Sequence, residues 1–166
     1  MSAISVLILM GSDSDAPIMQ AAVDVLREFQ IPCEMTVASA HRSPERVMRL
    51  VSEAPTRGVK VFIVGAGAAA HLAGVVAAHS TLPVIGVPID SSALKGLDAL
   101  LSTVQMPPGV PVATVSIGKP GATNAGVLAA QIIAVGERAM ADRVATYKKK
   151  LAEKVEAAAA KLATPQ

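Results

Sequence analysis

"SVLILMGSDSDAP", residues 5–17, decides the fold. Ser5 to Met10 is an apolar run of strand length without polar alternation, the pattern of a strand buried on both faces of a parallel sheet. Gly11 interrupts the run, Asp15 suits a helix N-cap, and Pro17 suits the first helical turn. Met19, Ala22, Val23 and Leu26 then fall at i, i+3, i+4 and i+7, the stripe of an amphipathic helix. A buried strand turning directly into a helix is the opening of a β-α-β unit.

The rest of the chain repeats that unit. Glu34 to Ala38 reads as a second strand. Ser43 and Pro44 open a helix whose stripe is Val47, Leu50, Val51 and Ala54. Val59 to Val64 is a third strand, followed by a helix from about Ala69 to His79. Val84 to Val87 is a fourth strand, with a helical stretch near Leu94 to Val104 that Pro107, Pro108 and Gly109 stop. Val112 to Ile117 is a fifth strand. Asn124 to Ala141 is helical and apolar nearly all round, so it is expected to be buried, at a subunit contact. Asp142 to Leu162 is a separate, more charged helix.

Alternating strands and helices with right-handed crossovers predict an α/β fold. The expected architecture is a three-layer, doubly wound parallel sheet, flavodoxin-like, with an extra C-terminal helix. Residues 1–141 form the main domain, and residues 142–166 a helical extension packing in an oligomer.

Composition bounds the function. The 166 residues are 52% hydrophobic and 17% charged, with 2% aromatics, and the mean hydropathy is +0.49. The core is therefore aliphatic, and the apolar surplus points to a homo-oligomer. Residues 137–166 hold seven Lys or Arg against four Asp or Glu, whereas residues 1–136 hold eight against nine. The basic excess is thus confined to the tail, around Lys148 to Lys150, and reads as a solvated helix face. With no aromatic platform or basic stripe on the body, nucleic acid is not the expected partner. Cys33 is the one cysteine; it reads as a small buried apolar residue and permits no intrachain disulfide. Val61 to Ala78 approaches membrane-spanning length, but Gly65, Gly67 and His71 interrupt it. The N-terminal run lacks a basic flank, so it reads as a strand, not a signal peptide, and the expected location is the cytoplasm.

In this architecture ligands bind beyond the carboxyl ends of the strands, where the strand order reverses. Three unusual clusters begin where strands end. In "GSDSD", residues 11–15, Ser12 or Ser14 can donate to phosphate oxygens and Asp15 can accept from ribose hydroxyls, though these residues also serve as ordinary turn and cap residues. In "SAHR", residues 39–42, Arg42 can hold a phosphate by two parallel hydrogen bonds. His41 can exchange a proton near neutrality. "GAGAAAH", residues 65–71, resembles a dinucleotide fingerprint but follows the third strand rather than the first. Its small side chains let a planar ligand lie close to the backbone, and amides at the helix start can hold a carboxylate or polarise carbon dioxide. His71 either contacts a ligand or is a satisfied group behind it; His79 reads as structural. The sequence has no metal-ligand spacing, Walker loop, nucleophile elbow or cysteine pair. A cofactor-free rearrangement of a ribonucleotide fits what remains.

These strings resemble the N5-carboxyaminoimidazole ribonucleotide mutases of purine biosynthesis. The resemblance includes "MGSDSD" (10–15), "SAHR" (39–42), "GAGAAAHLAG" (65–74), "LPVIGVP" (82–88), "GLDALLSTVQMPPGVPVATV" (96–115) and "NAGVLAAQI" (124–132). It runs without gaps from about Ser5 to Ile133. It implies transfer of a carboxylate from an exocyclic nitrogen to C4 of the imidazole, by decarboxylation and recarboxylation in a closed, dry pocket. It implies His41 as general acid and base, and Ser12, Asp15, Ser39 and Arg42 on phosphate and ribose. Gly67, Ala68 and His71 would line the carboxylate and imidazole. No metal or prosthetic group is implied, and the assembly is an octamer. Ser43, Ala68 and Ala73 depart from the usual threonine, glycine and proline without removing a catalytic group. Three rivals remain: a carboxylase that takes carbon dioxide directly, a nucleotide-binding sensor that would not need His41, and a flavin carrier. The first shows a lysine after the histidine, where this chain has Arg42. The last lacks stacking aromatics, with only Tyr147 far along the tail.

Overall fold

Residues 4–162 are described by a computed structural model; residues 1–3 and 163–166, which include the end of the expected extension, lie outside the described part. Five strands form one parallel sheet: β1 (Val6–Met10), β2 (Cys33–Val37), β3 (Val61–Gly67), β4 (Val84–Ile89) and β5 (Ala113–Thr114). Their order is β2-β1-β3-β4-β5, with every pairing parallel. This is the flavodoxin-like doubly wound order, whose switch point lies between β1 and β3. All five residues of β1 and all six of β4 are buried, which is why their sequences run apolar without alternation.

The sheet is sandwiched between α1 (Ala16–Glu28), α5 (Gly118–Ala134) and α6 (Arg138–Leu162) on one face and α2 (Pro44–Glu53), α3 (Leu72–His79) and α4 (Leu97–Val104) on the other. Alternate residues of β1 feed the two layers. Val6, Ile8 and Met10 pack with α1 and α5, while Leu7 and Leu9 pack with α2 and α3. Each fully buried aliphatic side chain of this kind contributes roughly 1.5–3 kcal/mol. The predicted stripe of α2 is buried as Val47, Leu50, Val51 and Ala54.

Several boundaries differ from the sequence reading. β3 continues through Gly67, so Gly65 and Gly67 belong to the strand; β5 shrinks to two residues. The helix expected from Ala69 begins at Leu72, which makes His71 its N-cap position rather than a residue one turn inside. The α5–α6 break falls at residues 135–137 instead of 141–142, and α5 starts six residues early, at Gly118. One face of it is buried within the chain: a Cβ on Gly126 would sit 2.9 Å from Val25 and 3.1 Å from the Ala22 carbonyl, so that face lies directly on α1. Arg143 of α6 donates to the Phe29 carbonyl at 2.9 Å, and Tyr147 tilts against the Phe29 ring with centroids 5.1 Å apart. Beyond them, Leu151 to Leu162 is exposed along its whole length. Cys33 is half-buried on the edge strand β2, and burial raises its thiol pKa. His79 is exposed at the end of α3, not in the core. Among the described residues, no helix is long and apolar enough to cross a membrane.

Candidate active site

The carboxyl end of β1 runs into a 3-10 turn at Asp13–Asp15. Ser12 caps it, accepting from the Ser14 amide at 3.3 Å, while the Asp15 carboxylate accepts from the Ser12 amide at 3.2 Å. Asp15 therefore closes this turn and makes no side-chain cap bond to α1. Asp15 as a whole is only 5% exposed. Burial raises its pKa above the ordinary 3.8, opposed by the hydrogen bonds from Ser12 and Ser14.

The segment after β2 folds back on itself. Ser43 occupies the N-cap position of α2, yet its hydroxyl makes no bond to that helix. Instead it donates to the Ser39 carbonyl at 3.3 Å and accepts from the Ser39 amide at 3.2 Å. Arg42 joins two strand ends: its backbone amide donates to the Ser39 hydroxyl at 3.2 Å, and its Nη2 donates to the Gly11 carbonyl at 2.9 Å. The guanidinium is exposed at the mouth of the site, where an anion can reach it.

After β3 the chain is pressed against its neighbours. A Cβ on Gly67 would lie 1.8 Å from the Ser91 hydroxyl, so only glycine fits without displacing that side chain. Ala68 follows with φ of 51°, a left-handed conformation costly for a residue with a Cβ. Then comes His71, whose Nδ1 lies 2.8 Å from Nε2 of His41, the rings nearly perpendicular at 85°.

One cavity of about 390 Å³ is lined by Gly11, Ser12, Ser14, Asp15, Ser39, His41, Arg42, Gly67, His71 and Ser91, among others. The structure thus brings Ser12, Asp15, Ser39, His41, Arg42, Gly67 and His71 together. Ala68 does not line the cavity; its left-handed turn directs the chain from β3 toward His71. Ser91 is the residue that the sequence reading missed. It follows the end of β4, and the strand-end rule extended to the fourth strand would have found it. Within a single chain the cavity is not closed, since His41, Arg42 and His71 are all exposed. No cluster of three or more His, Cys, Asp or Glu with metal-binding geometry occurs among the described residues.

A doubly wound sheet here gathers hydroxyls, an arginine fork and two imidazoles around one cavity at its switch point, the kinds of group that anion binding and acid–base chemistry use. The AIR carboxylase family model matches residues 5–154. Over 155 residues the chain is 50% identical to the N5-carboxyaminoimidazole ribonucleotide mutase of Pyrococcus horikoshii, covering 93% of this chain and 86% of that protein. It is 56% identical over 137 residues to the Bacillus subtilis protein of the same name, covering 82% and 85%. The solved structure of Treponema denticola PurE superposes with a TM-score of 0.86 at 31% identity, covering 95% of this chain and 98% of that one. The chain belongs to the AIR carboxylase family, and these relatives named as mutases are isomerases.

Proposed function

We propose that the protein is an N5-carboxyaminoimidazole ribonucleotide mutase acting in purine biosynthesis. The observation that carries this reading is the convergence of GSDSD, SAHR and GAGAAAH on one cavity, in a chain half identical to proteins of that name. Ser12, Ser39 and Arg42 hold the phosphate, and the Asp15 carboxylate accepts from the ribose. Gly67 and His71 lie along the imidazole and the migrating carboxylate, and Ala68 shapes their loop. His41 gives a proton to the exocyclic nitrogen as its bond to the carboxylate breaks, releasing carbon dioxide. C4 then attacks the carbon dioxide, a carbon–carbon bond forms, and His41 takes the C4 proton. The step is redox-neutral and restores His41 to its starting form.

Carbon dioxide lost to water would end the cycle, so the open mouth has to be covered. A homo-oligomer, an octamer on the family resemblance, supplies that cover. The apolar stripe Leu94, Leu97, Leu101 and Val104, each 48–62% exposed, supports such an assembly, as does the bare outer half of α6 that forms the C-terminal extension. The expected setting is the cytoplasm.

Freshly made N5-carboxyaminoimidazole ribonucleotide, supplied without ATP or bicarbonate, tests the assignment. Product carboxylated at C4 from wild type but not from His41→Asn is the expected result. Product only from aminoimidazole ribonucleotide and bicarbonate would instead make the protein a carboxylase. Binding without turnover of either would make it a nucleotide-binding module.

A further inference from the structure

The contact between His41 and His71 joins residues thirty positions apart, on the loops after β2 and β3. At 2.8 Å between Nε2 and Nδ1 it is a hydrogen bond, and one nitrogen must carry the proton while the other is bare. The tautomers of the two rings are therefore tied together.

Nε2 of His41 is taken up by His71, so Nδ1 is the nitrogen left to exchange a proton with a substrate. A neutral ring can collect a proton at Nδ1 only when its own proton sits on Nε2, which makes His71 Nδ1 the acceptor. The His71 backbone is firmly held: its amide donates to the Ala69 carbonyl at 2.8 Å and its carbonyl accepts from Val75 at 3.0 Å. One residue earlier, the Ala70 amide donates to the Ser102 hydroxyl of α4 at 3.1 Å. By contrast, Nδ1 of His41 has no hydrogen-bond partner among the described residues.

We propose that His71 is a positioning residue for His41: by accepting the Nε2 proton it holds that ring in the Nε2–H form, so that Nδ1 both gives and collects the transferred proton. This inference rests on the proposed carboxyl transfer. In the loaded state, imidazolium His41 donates Nε2–H to His71 and Nδ1–H to the exocyclic nitrogen. As the carbon–nitrogen bond breaks, the Nδ1 proton leaves and the neutral ring keeps Nε2–H. The bare Nδ1 lone pair is then aligned to take the C4 proton when the new carbon–carbon bond forms. Without His71 the neutral ring is free to turn, or to exchange into the opposite tautomer, whose Nδ1 has no lone pair to offer.

Long-range proton–nitrogen spectra of the full-length, 15N-labelled protein without substrate, at a pH where the rings are neutral, read each ring nitrogen directly. The expected result is Nε2–H with bare Nδ1 on His41, and bare Nδ1 on His71. In His71→Leu the His41 signals should become an average of both tautomers. Its kcat should fall roughly 10–100-fold, the size of effect seen when the hydrogen-bond partner that orients a metal-ligating histidine is removed, a larger change than that in KM. His71→Asn, whose side-chain carbonyl can accept from Nε2, should recover most of the lost kcat; amide spectra check that both variants fold. His41 found in the Nδ1–H form, His41 signals unchanged in His71→Leu, or wild-type kcat in that variant would each overturn the proposal. Failure of the wild type to turn over substrate would remove the reaction instead, and the substrate-free nitrogen signals would still decide the geometry.

Discussion

Gly67→Ala is a sharp test of how the site is built. The added Cβ would lie 1.8 Å from Ser91 Oγ, 3.0 Å from Ser91 Cβ and 3.3 Å from the Ile89 carbonyl, against an ordinary contact of 3.4 Å or more. The first shortfall is the largest but the easiest to relieve, because a serine hydroxyl can rotate about one bond. The second needs a backbone shift of about 0.4 Å, and the third is nearly met. Overpacking typically costs about 1–3 kcal/mol, and the rotatable hydroxyl places this case near 1. For a chain of this size that lowers Tm by about 2–4 °C. The functional loss should exceed the loss of stability, because the displaced Ser91 leaves the cavity wall. Thermal melts and kcat/KM would be measured for Gly67→Ala, Ser91→Gly and the double variant. Removing the Ser91 side chain should restore the Tm lost to Gly67→Ala, leaving a coupling of about 1 kcal/mol. A double variant no more stable than Gly67→Ala would refute steric contact with Ser91 as the cause.

Three further outcomes follow from features described above. The folded Asp15 carboxyl binds its proton more tightly than the unfolded one, so its ionisation costs stability progressively as pH rises from the ordinary 3.8 through the raised folded value. Asp15→Asn should therefore melt above wild type at pH 7, with the gap closing toward pH 4, while turnover falls; melts across that range check it. Ala68, held at φ of 51°, should tolerate glycine almost neutrally, since relief of strain is offset by unfolded-chain entropy. Ala68→Val should lose about 1–3 kcal/mol in denaturant titrations. Gly126→Val forces α5 off α1 and should also cost about 1–3 kcal/mol, with KM unchanged because neither Gly126 nor the α1 residues it touches line the cavity.

The strand succession, the doubly wound order and the gathering of the three clusters around one cavity were legible because they rest on apolar run length and on the rule for strand ends. Boundaries were misread where glycine packs closely instead of turning the chain. Gly65 and Gly67 look like breakers, yet a Cβ on Gly65 would meet Met19 Sδ at 2.5 Å, so both are strand residues in crowded layers. Likewise "GKPG", residues 118–121, reads as a loop, although proline fits an early helical position and a Cβ on Gly121 would lie 1.6 Å from the Ser116 carbonyl. Gly136 was an available stop signal for α5. The His41–His71 bond had no sequence signal: each residue was visible as a candidate, but their contact depends on where β2 and β3 end relative to each other.

Every residue implicated in chemistry leaves the same end of a parallel sheet, so the two ends of the molecule answer to different demands. At the other end, the turn through Thr81 and Leu82 holds itself with the Leu82 amide donating to the Ser80 hydroxyl at 3.0 Å, and the chain resumes sheet pairing through the Pro83 carbonyl. Substitutions there act first on folding, since no residue of that turn lines the cavity. A label, a tether or a relocated terminus therefore belongs on the far side from His41.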